Sequence, residues 1–212
     1  MTSRSIDLTR RGFLRMGLAV PASLALAATG RQVLGAIDRG GSASAQELPL
    51  TPTCDDDPQA TPLQTEGPYF TANSPQRRSL LDPGIVGTRL VVTGYVVSRQ
   101  CQPVSGALLD FWQADDAGAY DNVGYRLRGH QFSDETGRYE LETIVPGLYP
   151  GRTRHVHVKV QAPNAPSLTT QLYFPDEPRN QRDGIYNPAL LMAMLVVEDT
   201  HWGSLNFVIP TS

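Results

Sequence analysis

The sequence predicts an all-β fold, a sandwich of mostly antiparallel strands carrying long loops. Three observations support this. The 212 residues include 17 Pro and 19 Gly, which interrupt the chain too often for long helices. Between these breaks lie short β-branched runs such as Leu90-Val91-Val92-Thr93-Gly94-Tyr95-Val96-Val97-Ser98, the composition of pleated strands. The apolar periodicity leaves room for one short helix at most, around residues 187–194.

In chain order, residues 90–98 form the first strand, with Gly94 marking a bulge or a close backbone approach. A turn at 99–103 leads to a second strand at 107–113. Residues 114–131 form a loop containing Gly118, Gly124 and Gly129, and its length points to a functional segment. After a turn at 133–137, residues 138–144 alternate as a strand. The Pro/Gly turn 146–151 feeds a histidine-bearing strand. Residues 168–174 are a further strand, 175–187 a polar loop, and 190–197 and 205–209 the closing strands.

Ahead of this stand Arg10-Arg11-Gly12-Phe13-Leu14 and a mildly apolar Ala/Gly-rich run to Ala28. Paired arginines followed by Phe-Leu are similar to a twin-arginine export signal. Ala43-Ser44-Ala45 offers a small-residue cleavage site, with Ala28 and Ala36 as alternatives. The expected organisation is a signal peptide at 1–45, an extended arm at 46–64 and a β-sandwich domain at 65–212, delivered to the periplasm or beyond. No membrane span is expected in the mature chain. The net charge of −3 provides no basic face for nucleic acid. In an exported protein, Cys54 and Cys101 allow one disulfide, with two buried thiols as the alternative.

The most informative stretch is Arg152-Thr153-Arg154-His155-Val156-His157-Val158-Lys159-Val160. Residues two apart in a strand share a face. Val156, Val158 and Val160 therefore line one side, and His155 and His157 the other. Such a pair can present two neutral nitrogen donors to one metal ion, or it can be two packed or solvated histidines. His130 and His201 read as surface or hydrogen-bonding residues. Two tyrosines are better placed as further donors. Tyr149 lies in the turn just before the histidine strand, and Tyr120 in the long loop. A phenol ionises near pH 10, but a hard, highly charged cation stabilises the phenolate.

Trp112-Gln113-Ala114, Gly118-Ala119-Tyr120, Pro146-Gly147-Leu148-Tyr149 and Arg152-Thr153-Arg154-His155-Val156-His157 together resemble the intradiol ring-cleavage dioxygenases. That family includes the protocatechuate 3,4- and catechol 1,2-dioxygenases. Thr65-Glu66-Gly67-Pro68-Tyr69 and Thr170-Gln171-Leu172-Tyr173-Phe174 also match, so the resemblance runs from about residue 65 to 174. It implies one Fe(III) ion held by Tyr120, Tyr149, His155 and His157, with Tyr149 and His157 as the axial pair. It further implies a catechol substrate cleaved by O2 between its two hydroxylated carbons, giving a cis,cis-muconate-type diacid. In that scheme Tyr149 is base and departing ligand, Arg152 stabilises negative charge, Gln171 orients the substrate and Tyr69 lies beside it.

Two departures bear on substrate and assembly. Only residues 150–154 separate Tyr149 from His155, where protocatechuate enzymes carry a longer insertion. The helical dimerisation region of catechol 1,2-dioxygenases has no room before Thr65. The oligomer is thus left open, a homodimer being one candidate. Two other readings compete. One is a secreted, non-catalytic β-sandwich that binds a phenolic polymer or a protein. The other is a 2-His-1-carboxylate Fe(II) site using Asp115, Asp116 or Asp134.

Overall fold

The computed structural model describes residues 59–211. The expected export segment, most of the arm and Cys54 lie outside them. Nine strands follow in order: β1 (Arg89–Val97), β2 (Leu108–Trp112), β3 (Arg128–Phe132), β4 (Arg138–Ile144), β5 (His155–Gln161), β6 (Leu168–Tyr173), β7 (Ala193–Val197), β8 (Thr200–Ser204) and β9 (Phe207–Val208). One sheet has the order β3-β2-β5-β6 and is wholly antiparallel. The other has the order β4-β1-β8-β7, with β9 also paired to β1. The all-β sandwich expected from sequence is present.

Three features depart from the expected pattern. β8 and β9 run parallel to β1, so this sheet is mixed. Gly94 makes that possible, because a Cβ there would stand 1.9 Å from the Leu205 carbonyl oxygen. The C-terminal strand breaks at this crossing, and Asn206 Oδ1 accepts the Tyr95 amide where the ladder is interrupted. The second departure is β3, which occupies the end of the expected 114–131 loop. Its sequence, Arg-Gly-His-Gln-Phe, lacks the β-branched residues that mark strands. In place of the expected helix at 187–194 there is a single 3-10 turn, Pro188–Leu190. A second 3-10 turn, Asn180–Arg182, lies in the polar loop.

The alternation in β5 is realised. Val156, Val158 and Val160 are fully buried between the sheets, where they join Leu109 and Phe111 of β2, Leu172 of β6, and Leu90 and Val92 of β1. Removing each such side chain from water contributes about 1.5–3 kcal/mol.

The outer face of the β3-β2-β5-β6 sheet is buried as well. Residues 62–77 cross it as a strap from one edge to the other. Thr170 Oγ1 on β6 donates to the Pro62 carbonyl, and Gln64 N to the Thr169 carbonyl. Gly67 passes over His157 on β5, and the Phe70 ring meets Trp112 on β2 edge-on. Ser74 bonds Asp110 of β2 and His130 of β3. Under the strap, polar side chains are held away from water inside the protein.

Candidate active site

His155 and His157 emerge on the strap side of β5, 4% and 3% exposed. The pleat places Trp112 and Gln171 across from His157, and Tyr173 across from His155. Trp112 stacks on the His157 ring at 4.8 Å and 8°, which fixes its plane. His155 Nδ1 lies 2.6 Å from the Thr153 carbonyl oxygen. That oxygen can only accept, so Nδ1 carries the proton and Nε2 presents a lone pair. The two Nε2 atoms face each other at 3.1 Å. His157 Nδ1 is buried with no hydrogen-bond partner.

Two loops bring in the tyrosines. Asp115 Oδ1 accepts the Ala117 and Ala119 amides and coils the first loop into a tight turn. That turn seats on the Pro146-Gly147 segment through two glycines. A Cβ on Gly118 would stand 2.5 Å from the Leu148 carbonyl oxygen, and one on Gly147 would stand 2.4 Å from that of Asp116. The Gly147 amide donates to the Asp115 carbonyl at 2.7 Å. With the loops docked, the Tyr120 and Tyr149 rings lie 5.8 Å apart. The Tyr120 hydroxyl is 3.2 Å from His155 Nε2. Tyr69, carried on the strap, stacks on Tyr120 at 4.5 Å and shares a 2.7 Å hydrogen bond with the Tyr149 hydroxyl.

The structure thus brings together all four expected donors and Tyr69. Arg152 and Gln171 are close by and bonded to each other, Arg152 Nη2 donating to Gln171 Oε1 at 2.7 Å. Gln171 Nε2 donates to the Thr65 carbonyl of the strap. No group of three His, Cys, Asp or Glu side chains converges among the described residues. The 2-His-1-carboxylate arrangement is therefore not formed. Asp115 and Asp134 spend their carboxylates on turns. His130 is hydrogen-bonded to Ser74, as expected of a residue outside the site.

Three participants were not apparent from sequence. Asp183 is 8% exposed and accepts Arg152 Nε at 2.8 Å and the Thr153 amide at 2.8 Å. Arg128 is buried and donates to the carbonyls of Asp121 and Tyr69, clamping the Tyr120 loop to the strap. Tyr173 donates to Gln171 Oε1. Asp183 lies in a polar loop with no motif around it. Arg128 lies in a segment read as loop.

Burial keeps these donors in their neutral forms. Burial lowers His155 to about 4, and Arg152 adds to the shift. Burial and the neighbouring His155 push His157 well below its ordinary value. Both imidazoles are therefore neutral donors at pH 7. Burial raises the Tyr120 phenol above its usual range against the opposing pull of Arg152 and Arg128. Two facing nitrogen donors and the nearby buried Tyr120 phenol, which a cation would help to ionise, fit a metal ion.

Comparison with known proteins places this arrangement. A family profile described as Dioxygenase matches residues 65–205. The chain belongs to the intradiol dioxygenase family. The dioxygenase domain of a dioxygenase carbohydrate-binding protein fusion from Streptomyces sp. SirexAA-E is 55% identical. It superposes with a TM-score of 0.71, over 73% of this chain and 100% of that one. An intradiol ring-cleavage dioxygenase from Tetranychus urticae is 26% identical with a TM-score of 0.66, over 71% and 94% of the two chains. A hydroxyquinol 1,2-dioxygenase from Rhizobium sp. is 29% identical over 63% of this chain and 55% of its own length. The chain spans about half the length of the curated relatives it matches.

Proposed function

We propose that this dioxygenase is a mononuclear Fe(III) enzyme that opens a catechol ring with O2 between the two hydroxylated carbons. The product would be a cis,cis-muconate-type diacid. The observation that carries this reading is the convergence of Tyr120, Tyr149, His155 and His157 beneath one strap. These four residues would hold the ion. Bound Fe(III) would supply the Lewis acidity that makes the catecholate ring open to O2.

The chain's own groups then have distinct tasks. Tyr149 Oη takes a proton from a substrate hydroxyl, and the Tyr69 hydroxyl at 2.7 Å receives the hydrogen bond of the resulting phenol. The Arg152 guanidinium, fixed by Asp183 and Gln171, faces developing negative charge. Trp112 and the strap keep water from the imidazoles. No external reductant is required.

Export by the twin-arginine route, processing after Ala45 and a Cys54–Cys101 disulfide belong to the same proposal. They are consistent with an enzyme that meets phenolic substrates outside the cytoplasm. No helix among the described residues is long and apolar enough to cross a membrane. The test is metal analysis with a visible spectrum. The expected protein is burgundy with one iron per chain, and its band moves to longer wavelength when catechol is added without oxygen. Colourless protein carrying stoichiometric zinc would refute the proposal.

A further inference from the structure

Beside the candidate site, a cleft of about 530 Å³ lies between the 148–153 turn and the 179–183 segment, lined by Arg152, Arg179 and Arg182. The only acid in its wall is Asp183, and that carboxylate is fully engaged. Oδ2 accepts Arg152 Nε and the Thr153 amide, and Oδ1 accepts the Ile185 amide. Arg154, the next arginine along the chain, is satisfied by Glu177. Arg179 and Arg182 form no ion pair among the described residues. An isolated exposed arginine is ordinarily just solvated. Here two uncommitted guanidinium groups share one concavity with a third, whose charge is balanced by a buried acid, so the cleft has an excess of positive charge and planar donors. Guanidinium forks match carboxylates in geometry as well as charge. Leu148 and Pro150 of the same wall flank Tyr149, so a group in the cleft lies against the turn that carries the proposed base.

We infer that this cleft is a carboxylate-binding subsite beside the ring-cleavage centre. It would take either an acidic side arm on the catechol substrate or the diacid product as it leaves. The assignment rests on the ring-cleavage reading for its purpose, but not for its measurement. The probe is 3-phenylpropanoate, an uncleavable carboxylate, compared by calorimetry with its neutral amide. Wild-type protein should bind the acid about tenfold more tightly than the amide, with the preference shrinking as salt is raised. Arg179→Gln/Arg182→Gln should lose that preference, and Arg179→Lys/Arg182→Lys should keep part of it.

Kinetics separates the two sources. If the substrate arm binds there, the glutamine variant loses kcat/KM for 3-(3,4-dihydroxyphenyl)propanoate and keeps it for catechol. If the product binds there, the same variant relieves product inhibition instead. Equal binding of acid and amide by wild-type protein, or a preference unchanged in the glutamine variant, overturns the subsite. A protein that binds the acid selectively but cleaves no catechol refutes the ring-cleavage reading and leaves the subsite standing.

Discussion

The two sheets share one core but present opposite outer faces. On the β3-β2-β5-β6 sheet that face carries Trp112, His155, His157 and Gln171, all nearly inaccessible beneath the strap. On the β4-β1-β8-β7 sheet the corresponding face exposes Leu195 at 56% and Trp202 at 41%, cross-strand partners of each other. The polar residues are inside and a cluster of apolar residues is outside. Burying imidazoles and an amide is costly unless each polar atom finds a partner. The covered face supplies those partners from the backbone and from loops, except at Trp112 Nε1 and His157 Nδ1. The contrast shows where this protein spends stability on chemistry: on the covered sheet, within reach of two loops and one strap.

Substitutions on the two faces should therefore differ in kind and size. If the proposed iron site is right, His157→Ala should abolish iron binding and the expected colour, and lower turnover by on the order of 1000-fold, about 4 kcal/mol of barrier. Metal analysis and steady-state kinetics check this, and retention of iron would move the centre elsewhere. Leu172→Ala, on the inner face of the same sheet, should cost about 2–5 kcal/mol in denaturant unfolding, because its side chain is fully enclosed.

Asp183→Asn should act in between. It unpairs Arg152 without emptying the core and should cost about tenfold to 100-fold in kcat/KM. It should also change the acid limb of stability. Burial alone would raise the Asp183 carboxyl, but the Thr153 amide, the Arg152 side chain and the Ile185 amide together hold it below the ordinary range. Its contribution is complete above the unfolded value near 4 and disappears as pH falls through the lower folded value. Unfolding followed between neutral and strongly acid pH should show that loss in the wild type and a flatter limb in the variant. The smallest effect is expected for Leu195→Ala on the open face, within about 0.5 kcal/mol. A larger loss there would mean that this face is covered in solution.

Strands were legible where β-branched residues alternate, as in β1, β4 and β5. They were hidden where polar residues and glycine make up the ladder, as in β3, and where Thr-His-Trp-Gly-Ser forms β8. The four proposed metal donors could be grouped from sequence because a period of two, a Pro/Gly turn and a matching series of motifs all constrain the same few residues. Asp183 and Arg128 could not be read, because their importance depends on which backbone groups fold against them. Tyr69 was found only as part of a matching run. Its stack on Tyr120 is a product of the strap's path, which no local pattern encodes.

That path also matters to anyone handling the protein. Thr61 donates to Val208 at the C-terminal strand, and Thr65 holds Gln171 in the site. A protease cut, an affinity tag or a shortened expression clone that disturbs residues 62–77 would uncover the outer face of the β3-β2-β5-β6 sheet and with it the proposed metal donors. Such material would keep its buried inner core, yet hold the proposed iron poorly. Clone boundaries for this enzyme are therefore best set well ahead of Thr61, and each batch judged by activity rather than by its melting temperature.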